Sequence, residues 1–304
     1  MQKLKVIIPE RMNGERLDVA IAEMLPDYSR SKITAKIKSG EALIDSKTFK
    51  PKDKASGKET VFLVFNHKNY THWEAEDISL NIVFEDEDII VINKPFGLVT
   101  HPGAGNWSGT LANALLYHDK NLLKLDRAGI VHRLDKNTSG LMVISKNAKS
   151  QKHLVNQLQV HSVEREYSAI VYGHMISGGT VNEPIGRDSR DRIKQAISNG
   201  GKEAITHYRV IDRYKSHTHV KAILETGRTH QIRVHLSHIG HPLVGDPVYG
   251  GRVRYPKKAA QDLKNALMQF ERQALHSKKL TLTHPRSGET MTWKIDLPDD
   301  MKSL

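Results

Sequence analysis

Apolar positions along the first 65 residues recur at helical spacing and then at strand spacing. In "ERLDVAIAEMLPDYSRSKITAKIKSGEALID", Leu17, Ala20, Ile21, Met24 and Leu25 fall three to four apart, which predicts a short helix. A second helix follows, with Ser29 or Ser31 able to cap its start and Gly40 to stop it. On it, Arg30, Lys32, Lys36 and Lys38 ring the apolar positions Ile33 and Ile37, so one face could meet phosphate, although a charged helix face is often simply solvated. "EALID" and "ETVFLVF" are short strand candidates, separated by the Lys- and Gly-containing "SKTFKPKDKASGK". The polar stretch "NHKNYTHWEAED", residues 66 to 77, breaks the periodicity and predicts a linker.

From residue 78 strand patterns dominate. "ISLNIVFEDEDIIVINKP" reads as strand, acidic turn, strand, and "GLVTHPGAGNWSGT" as a Gly-rich loop. "TLANALLYH" and "SQKHLVNQLQVH" have helical spacing, whereas "AGIVHRLD", "LMVISK", "REYSAIVYG", "AITHYRVIDRY" and "THVKAILETG" read as strands. The order lacks a regular βαβ rhythm, so the expected class is α+β: a mixed, largely antiparallel sheet with helices against it.

Composition narrows the function. The chain has no cysteine, which excludes disulfides, thiolate metal sites and cysteine nucleophiles. A formal net charge of +12, with 17 histidines besides, points to a polyanionic partner, with plain solubility as the other explanation. The apolar run before Pro9 is too short for a signal-peptide core, and no stretch approaches the roughly 18 apolar residues of a membrane span, so a cytoplasmic protein is expected.

Three stretches carry candidate chemistry. In "GIVHRLDKNTSGLMVISKN", strand alternation places Arg133 and Asp135 on one face, just before a turn built from Asp, Asn, Ser and Gly. The bland alternative is that Asp135 caps that turn with Arg133 as its ion pair. The Gly-rich loop lacks the Walker lysine and the dinucleotide spacing, so no nucleotide cofactor is expected. In "LETGRTHQIRVHLSHIGHPLVGDPVYGG", Thr229 can cap a helix that buries Ile232, Leu236 and Ile239 and ends at Gly240. Arg233 then sits one turn in, where it can hold a carboxylate ionised or bind phosphate. His235, His238 and His241 are spaced by three, but without an HExxH pattern no metal site is expected.

Together "HRLDKNTSGLMVISK", "REYSAIVYG" and "GRTHQIRVHLSHIGHPLVGDPVYG", with "VINKPFGLVTHPG" upstream, closely resemble the RluA-type family of RNA pseudouridine synthases, from about residue 14 to the C-terminus. Arg16-Leu17-Asp18 and Ser29-Arg30-Ser31 resemble the opening of an S4 RNA-binding domain. The resemblance implies an S4-like domain with its linker over residues 1–75 and a catalytic domain over 76–304. It implies conversion of uridine to 5-ribosyluracil with no cofactor and no metal. Asp135 then corresponds to the catalytic aspartate, Arg233 to the arginine that pairs with it, Tyr167 to the stacking tyrosine, and Arg133 to an arginine that contacts RNA and fills the space of a flipped nucleotide. Arg16, Arg30, Lys32 and Lys36 are the N-terminal RNA-binding candidates. "GHMISGGTVNEPI" and "GGRVRYPKKA" look most like the branch that modifies loop uridines of helix 69 in large-subunit ribosomal RNA. The implied partner is that RNA or an assembling large subunit, met by a monomer. Whether the aspartate attacks C1′ or takes a proton from C2′ stays open. The rivals are a catalytically silent RNA-binding assembly factor and a phosphodiesterase built on His235-Leu236-Ser237.

Overall fold

The computed structural model describes residues 2–25, 28, 30–65, 73–103, 105–191, 194–256 and 258–304, without the side chains at 2, 3, 31, 32 and 65. The chain forms two compact units, Met1–Trp73 and Glu74–Leu304.

The smaller unit runs β1 (Gln2–Ile7), α1 (Leu17–Met24), α2 (Arg30–Lys38), β2 (Ala42–Ile44) and β3 (Thr60–Phe65), with an antiparallel sheet in the order β1-β3-β2. Helical spacing turns Leu17, Ala20 and Ile21 of α1 and Ile33 and Ile37 of α2 toward one core with Val6, Val61 and Leu63 of the strands. Each large aliphatic chain buried there contributes about 1.5–3 kcal/mol. Gly40, at φ +74, lets the Gly40 and Glu41 amides fold back onto the last carbonyls of α2. Ser29 and the side chains of Ser31 and Lys32 lie outside the described residues.

The larger unit is built on a nine-stranded sheet. Its members are β4 (Ile82–Glu85), β5 (Ile89–Lys94), β6 (Ser139–Ser145), β7 (Glu164–Tyr172), β8 (Gly179–Asn182), β11 (Ile205–Arg213), β12 (His217–Leu224), β13 (Leu275–Thr283) and β14 (Thr290–Lys294). The order is β4-β5-β6-β13-β7-β12-β11-β8, with β14 on β13, and every pairing is antiparallel except β6 with β13. The short strands β9 (Ile185–Arg187) and β10 (Gln195–Ile197) form a separate ribbon. Against these lie α3 (Leu111–His118), α4 (Ala148–Gln159), α5 (Gln231–His238), α6 (Gln261–Gln269) and α7 (Asp299–Lys302). Thr110 and Asn113 close a capping box on α3, and Asn147 caps α4 through the Ser150 amide. β6 is buried along its whole length, as befits a strand covered on both faces. The mixed, largely antiparallel sheet is the one expected. Among the described residues no helix is long and apolar enough to cross a membrane.

"AGIVHRLD" departs from its expected strand. Ile130 makes one isolated bridge to Ile144, and residues 131–135 are otherwise irregular. The His132 ring is the reason: its Nε2 accepts the Val143 amide at 3.0 Å, the bond that a pairing backbone would have taken. Gly129, at φ +79, starts the segment where a Cβ would lie 2.0 Å from the Ser145 carbonyl oxygen. Any other residue would push it off β6.

Candidate active site

The irregular segment delivers Asp135 to a turn ahead of β6. The Thr138 amide donates to the Asp135 carbonyl at 3.1 Å, and Gly140 packs so close to β13 that a Cβ would meet the Ser277 carbonyl oxygen at 2.3 Å. Lys94, at the end of β5, is wholly buried and donates to the carbonyls of Pro95, Leu98 and Lys136 at 2.8, 2.8 and 3.2 Å. It thereby clamps the residue after Asp135. Burial pulls the Lys94 pKa down to about 7, with Asp135 opposing and Arg272 assisting the shift.

Asp135 does not pair with Arg133. Its Oδ2 accepts from Arg233 NH1 at 2.9 Å, across 98 positions of sequence, while Arg133 is exposed with no carboxylate partner among the described residues. Arg233 is held from behind: Nε and NH2 donate to Asp246 at 2.8 and 2.9 Å, and the Tyr249 ring lies 5.0 Å from the guanidinium carbon. Asp246 also accepts the Val248 and Tyr249 amides at 2.9 and 3.0 Å. Burial works against both charges, but the mutual bonds outweigh it: the Arg233 pKa is raised and that of Asp246 lowered.

The start of α5 differs from expectation. Thr229 does not cap it; His230 occupies the cap position at φ 57 and makes no side-chain cap bond. Gln231 organises the turn instead, its Oε1 accepting from the Arg228 amide and the Thr226 hydroxyl and its Nε2 donating to the Ile205 carbonyl. Turned inward this way, His230 is hydrogen-bonded through Nδ1 to the Tyr249 hydroxyl at 2.8 Å and sets Nε2 3.9 Å from Asp135 Oδ1. Gly240 ends the helix as expected, and Ile239 is only partly buried.

Asp135, Arg233, His230 and Gln231 line a cleft of about 590 Å³. Arg127, Arg133, Arg165, Arg228 and Arg233 face it, with Asp135 as its single carboxylate among the described residues. Tyr167, 5 % exposed on β7, forms part of its floor, and burial raises its phenol pKa. The N-terminal candidates belong to the smaller unit. There Arg16 and Arg30 both spend their guanidinium on Asp18, and Lys36 pairs with Glu41 at 2.8 Å. Lys94, Asp246 and Arg165 were given no role at the level of sequence, and His230 was placed only on the helix face that carries Arg233. Only the quoted "NKP", "GDP", "RTHQ" and "REY" stretches pointed to them.

His235 is a structural residue, hydrogen-bonded to the Thr206 hydroxyl at 2.9 Å and the Glu183 carbonyl at 3.0 Å. Asp86, Asp88 and His284 bring possible metal ligands within 4.8 Å of one another. Protein donors already engage that group: Asp86 takes the Asp88 and Ile89 amides, and Asp88 takes Ser150, Asn147 and Arg286.

A lone carboxylate fixed by an arginine, in an arginine-lined cleft over a mixed sheet, is an arrangement suited to a polyanionic substrate. Residues 88–238 match the family described as RNA pseudouridylate synthase. The chain is 50% identical over 293 residues to the ribosomal large subunit pseudouridine synthase D of Pseudomonas aeruginosa, covering 96% of this chain and 92% of that relative. It is 50% identical over 303 residues to the protein of the same name from Escherichia coli (strain K12), covering 99% and 93%. Among solved structures it is similar to human RNA Pseudouridylate Synthase Domain Containing 4, at TM-score 0.57 and 27% identity, over 73% of this chain and 90% of that one. The chain belongs to the RNA pseudouridylate synthase family, isomerases that turn uridine in RNA into pseudouridine.

Proposed function

We propose that this enzyme modifies uridines of large-subunit ribosomal RNA, in the helix 69 stem-loop, with Asp135 as its catalytic carboxylate. The observation that carries the reading is the Asp135–Arg233 pair at the cleft. Oδ2 is spent on Arg233, and among the described residues Oδ1 faces only the His230 ring, 3.9 Å away and beyond hydrogen-bond reach. That oxygen either attacks C1′ or removes the C2′ proton while the N1–C1′ bond breaks. The base turns within the cleft, C5 bonds to C1′, the C5 proton leaves and N1 gains one.

A uridine in a stem-loop must first leave its stack, at a cost of a few kcal/mol. Tyr167 supplies a stacking surface for the extruded base, and exposed Arg133 contacts the RNA it leaves. The smaller unit, two helices followed by a small sheet, acts as an S4-like RNA clamp through Arg16, Arg30, Lys32 and Lys36. The Asp18 and Glu41 pairs orient three of these basic groups for phosphate. The enzyme works as a monomer, without cofactor or metal, in the cytoplasm where large subunits assemble.

The test is tritium release from unmodified large-subunit RNA labelled at uridine C5, with mapping of the modified positions. Release from helix 69, abolished in Asp135→Asn while RNA binding persists, is the expected result. Binding without release would instead make the chain a silent RNA-binding assembly factor.

A further inference from the structure

We propose that Arg165 touches the uracil ring of the extruded uridine and stabilises the negative charge that the ring carries once its glycosidic bond breaks, an inference that rests on the reaction proposed above. Arg165 lies two positions before Tyr167 on β7, so the two side chains share a face about 6.6 Å apart along the strand. Both line the cleft and both are 5 % exposed. Arg165 NH2 donates to the Glu225 carbonyl at 2.9 Å, yet Nε has no partner, and no carboxylate pairs with the guanidinium among the described residues.

The contrast with Arg272 is direct. That arginine, 3 % exposed, is clasped by both oxygens of Asp300 at 2.6 and 2.8 Å. A buried cation without such a partner carries an uncompensated desolvation cost. Its neighbours register the charge: burial, reinforced by Arg165, takes the His132 pKa down to about 3. A cation held in this way is a receptor awaiting an anion.

Position selects the ring rather than a phosphate. Phosphates of a folded RNA stay near solvent, where Arg127 and Arg133 are exposed at the cleft. Arg165 shares the floor with the proposed stacking residue. Gly227 makes room for it, since a Cβ at that position would lie 2.7 Å from Arg165 NH1. In either route the electron pair of the N1–C1′ bond stays with the base, giving a uracilate whose charge spreads over N1, O2 and O4. C1′ gains a bond to Asp135, or C2′ gives its proton to Asp135 and later recovers it. The charge persists until C5 bonds to C1′ and N1 is protonated. Preorganised N–H groups beside such an anion act as an oxyanion hole does.

The experiment is single-turnover tritium release from C5-labelled large-subunit RNA with Arg165→Met and Arg165→Lys. It is paired with RNA affinity against salt in the Asp135→Asn background and with melting temperatures. Arg165→Met should slow the chemical step by about a hundredfold, with affinity within about threefold, an unchanged salt slope and an unchanged or raised Tm. Arg165→Lys, which keeps the charge and loses the fork, should fall between. Weaker binding with a salt slope smaller by about one would mark a phosphate contact and overturn the proposal. So would an unchanged rate, or a rate loss matched by a fall in Tm, which marks a packing residue. Wild-type enzyme that releases no tritium would remove the proposed reaction itself; an active wild type with an equally active Arg165→Met sinks this inference alone.

Discussion

Asp246 makes no contact with the reacting atoms in the proposed mechanism, yet Asp246→Asn should cost both stability and rate. In the native site its two oxygens take Nε and NH2 of Arg233 at 2.8 and 2.9 Å, and Oδ1 also takes two loop amides. Asparagine can keep the amides but turns an NH2 group toward one guanidinium N–H, donor against donor. Breaking a buried ion pair costs about 3–5 kcal/mol. Asp135 still faces Arg233, so the lower end, about 3 kcal/mol, applies. At about 2–4 °C per kcal/mol for a unit of this size, Tm should fall by about 6–12 °C. Arg233 NH1 also loses the brace that aims it at Asp135, and misplacement on the ångström scale costs about a hundredfold in rate. The effect has a signed pH dependence. Arg233 lowers the folded-state pKa of Asp246, so its stabilisation is complete above the unfolded value of about 4 and is lost as pH falls through the folded value. Thermal melts from pH 3 to 8 should therefore show wild type and variant converging below about pH 4. A Tm within 2 °C of wild type, with a rate within about threefold, would refute the reasoning and show that the packing of α5 alone orients Arg233.

Lys94→Met removes the donor of three carbonyls and should cost about 2–4 kcal/mol, read by denaturant unfolding, and should slow tritium release because the Asp135 turn loosens. With a folded pKa of about 7 against about 10.4 unfolded, wild-type stability should rise from pH 7 toward 10 as the unfolded chain binds the extra proton; the variant should lack that rise. Tyr167→Phe should keep the rate within about tenfold, whereas Tyr167→Ala should lose activity and about 3–5 kcal/mol of stability, as measured by release assays and melts. Arg133→Ala, tested in the Asp135→Asn background, should weaken RNA binding and lower the salt slope by about one, with no change in Tm.

The readable parts of the fold are those whose signal is local. The spacing of Leu17, Ala20 and Ile21 and that of "TLANALLYH" each signal a helix from local pattern alone. The hidden parts depend on distant partners. β13, "LHSKKLTLT", looks half polar, yet it enters the sheet between β6 and β7 because Ser277 and His276 find hydrogen bonds to the Leu141 carbonyl and Ser139. β1 is a short run made a strand by its pairing with β3. Residues 131–135 read as a strand because their side chains alternate, and no local pattern shows that the His132 ring will claim the Val143 amide. At the site, Asp135 and Arg233 stand out in their motifs, whereas their union is a product of topology. Asp246 hides in a Gly-Asp-Pro turn, and Arg165 in a strand where alternation alone does not show which face is buried.

In the proposed reaction, the placement of charge follows the direction in which charge must move. Before reaction the negative charge sits on Asp135, beside Arg233. In either route that carboxylate becomes neutral, by bonding to C1′ or by taking a proton, and a buried Arg233 with no other partner would be left bare. Asp246, with its side chain fully buried, prevents this, since it keeps Arg233 paired whatever the state of Asp135. In that proposal the charge lost by Asp135 reappears on the detached uracil, and the cleft holds a second buried guanidinium, Arg165, with no acid of its own among the described residues. One arginine is thus saturated where charge is consumed and another left unsaturated where charge is generated. A fold optimised for stability alone would pair both; leaving Arg165 unpaired favours the state in which the base is an anion over the state in which the cleft is empty.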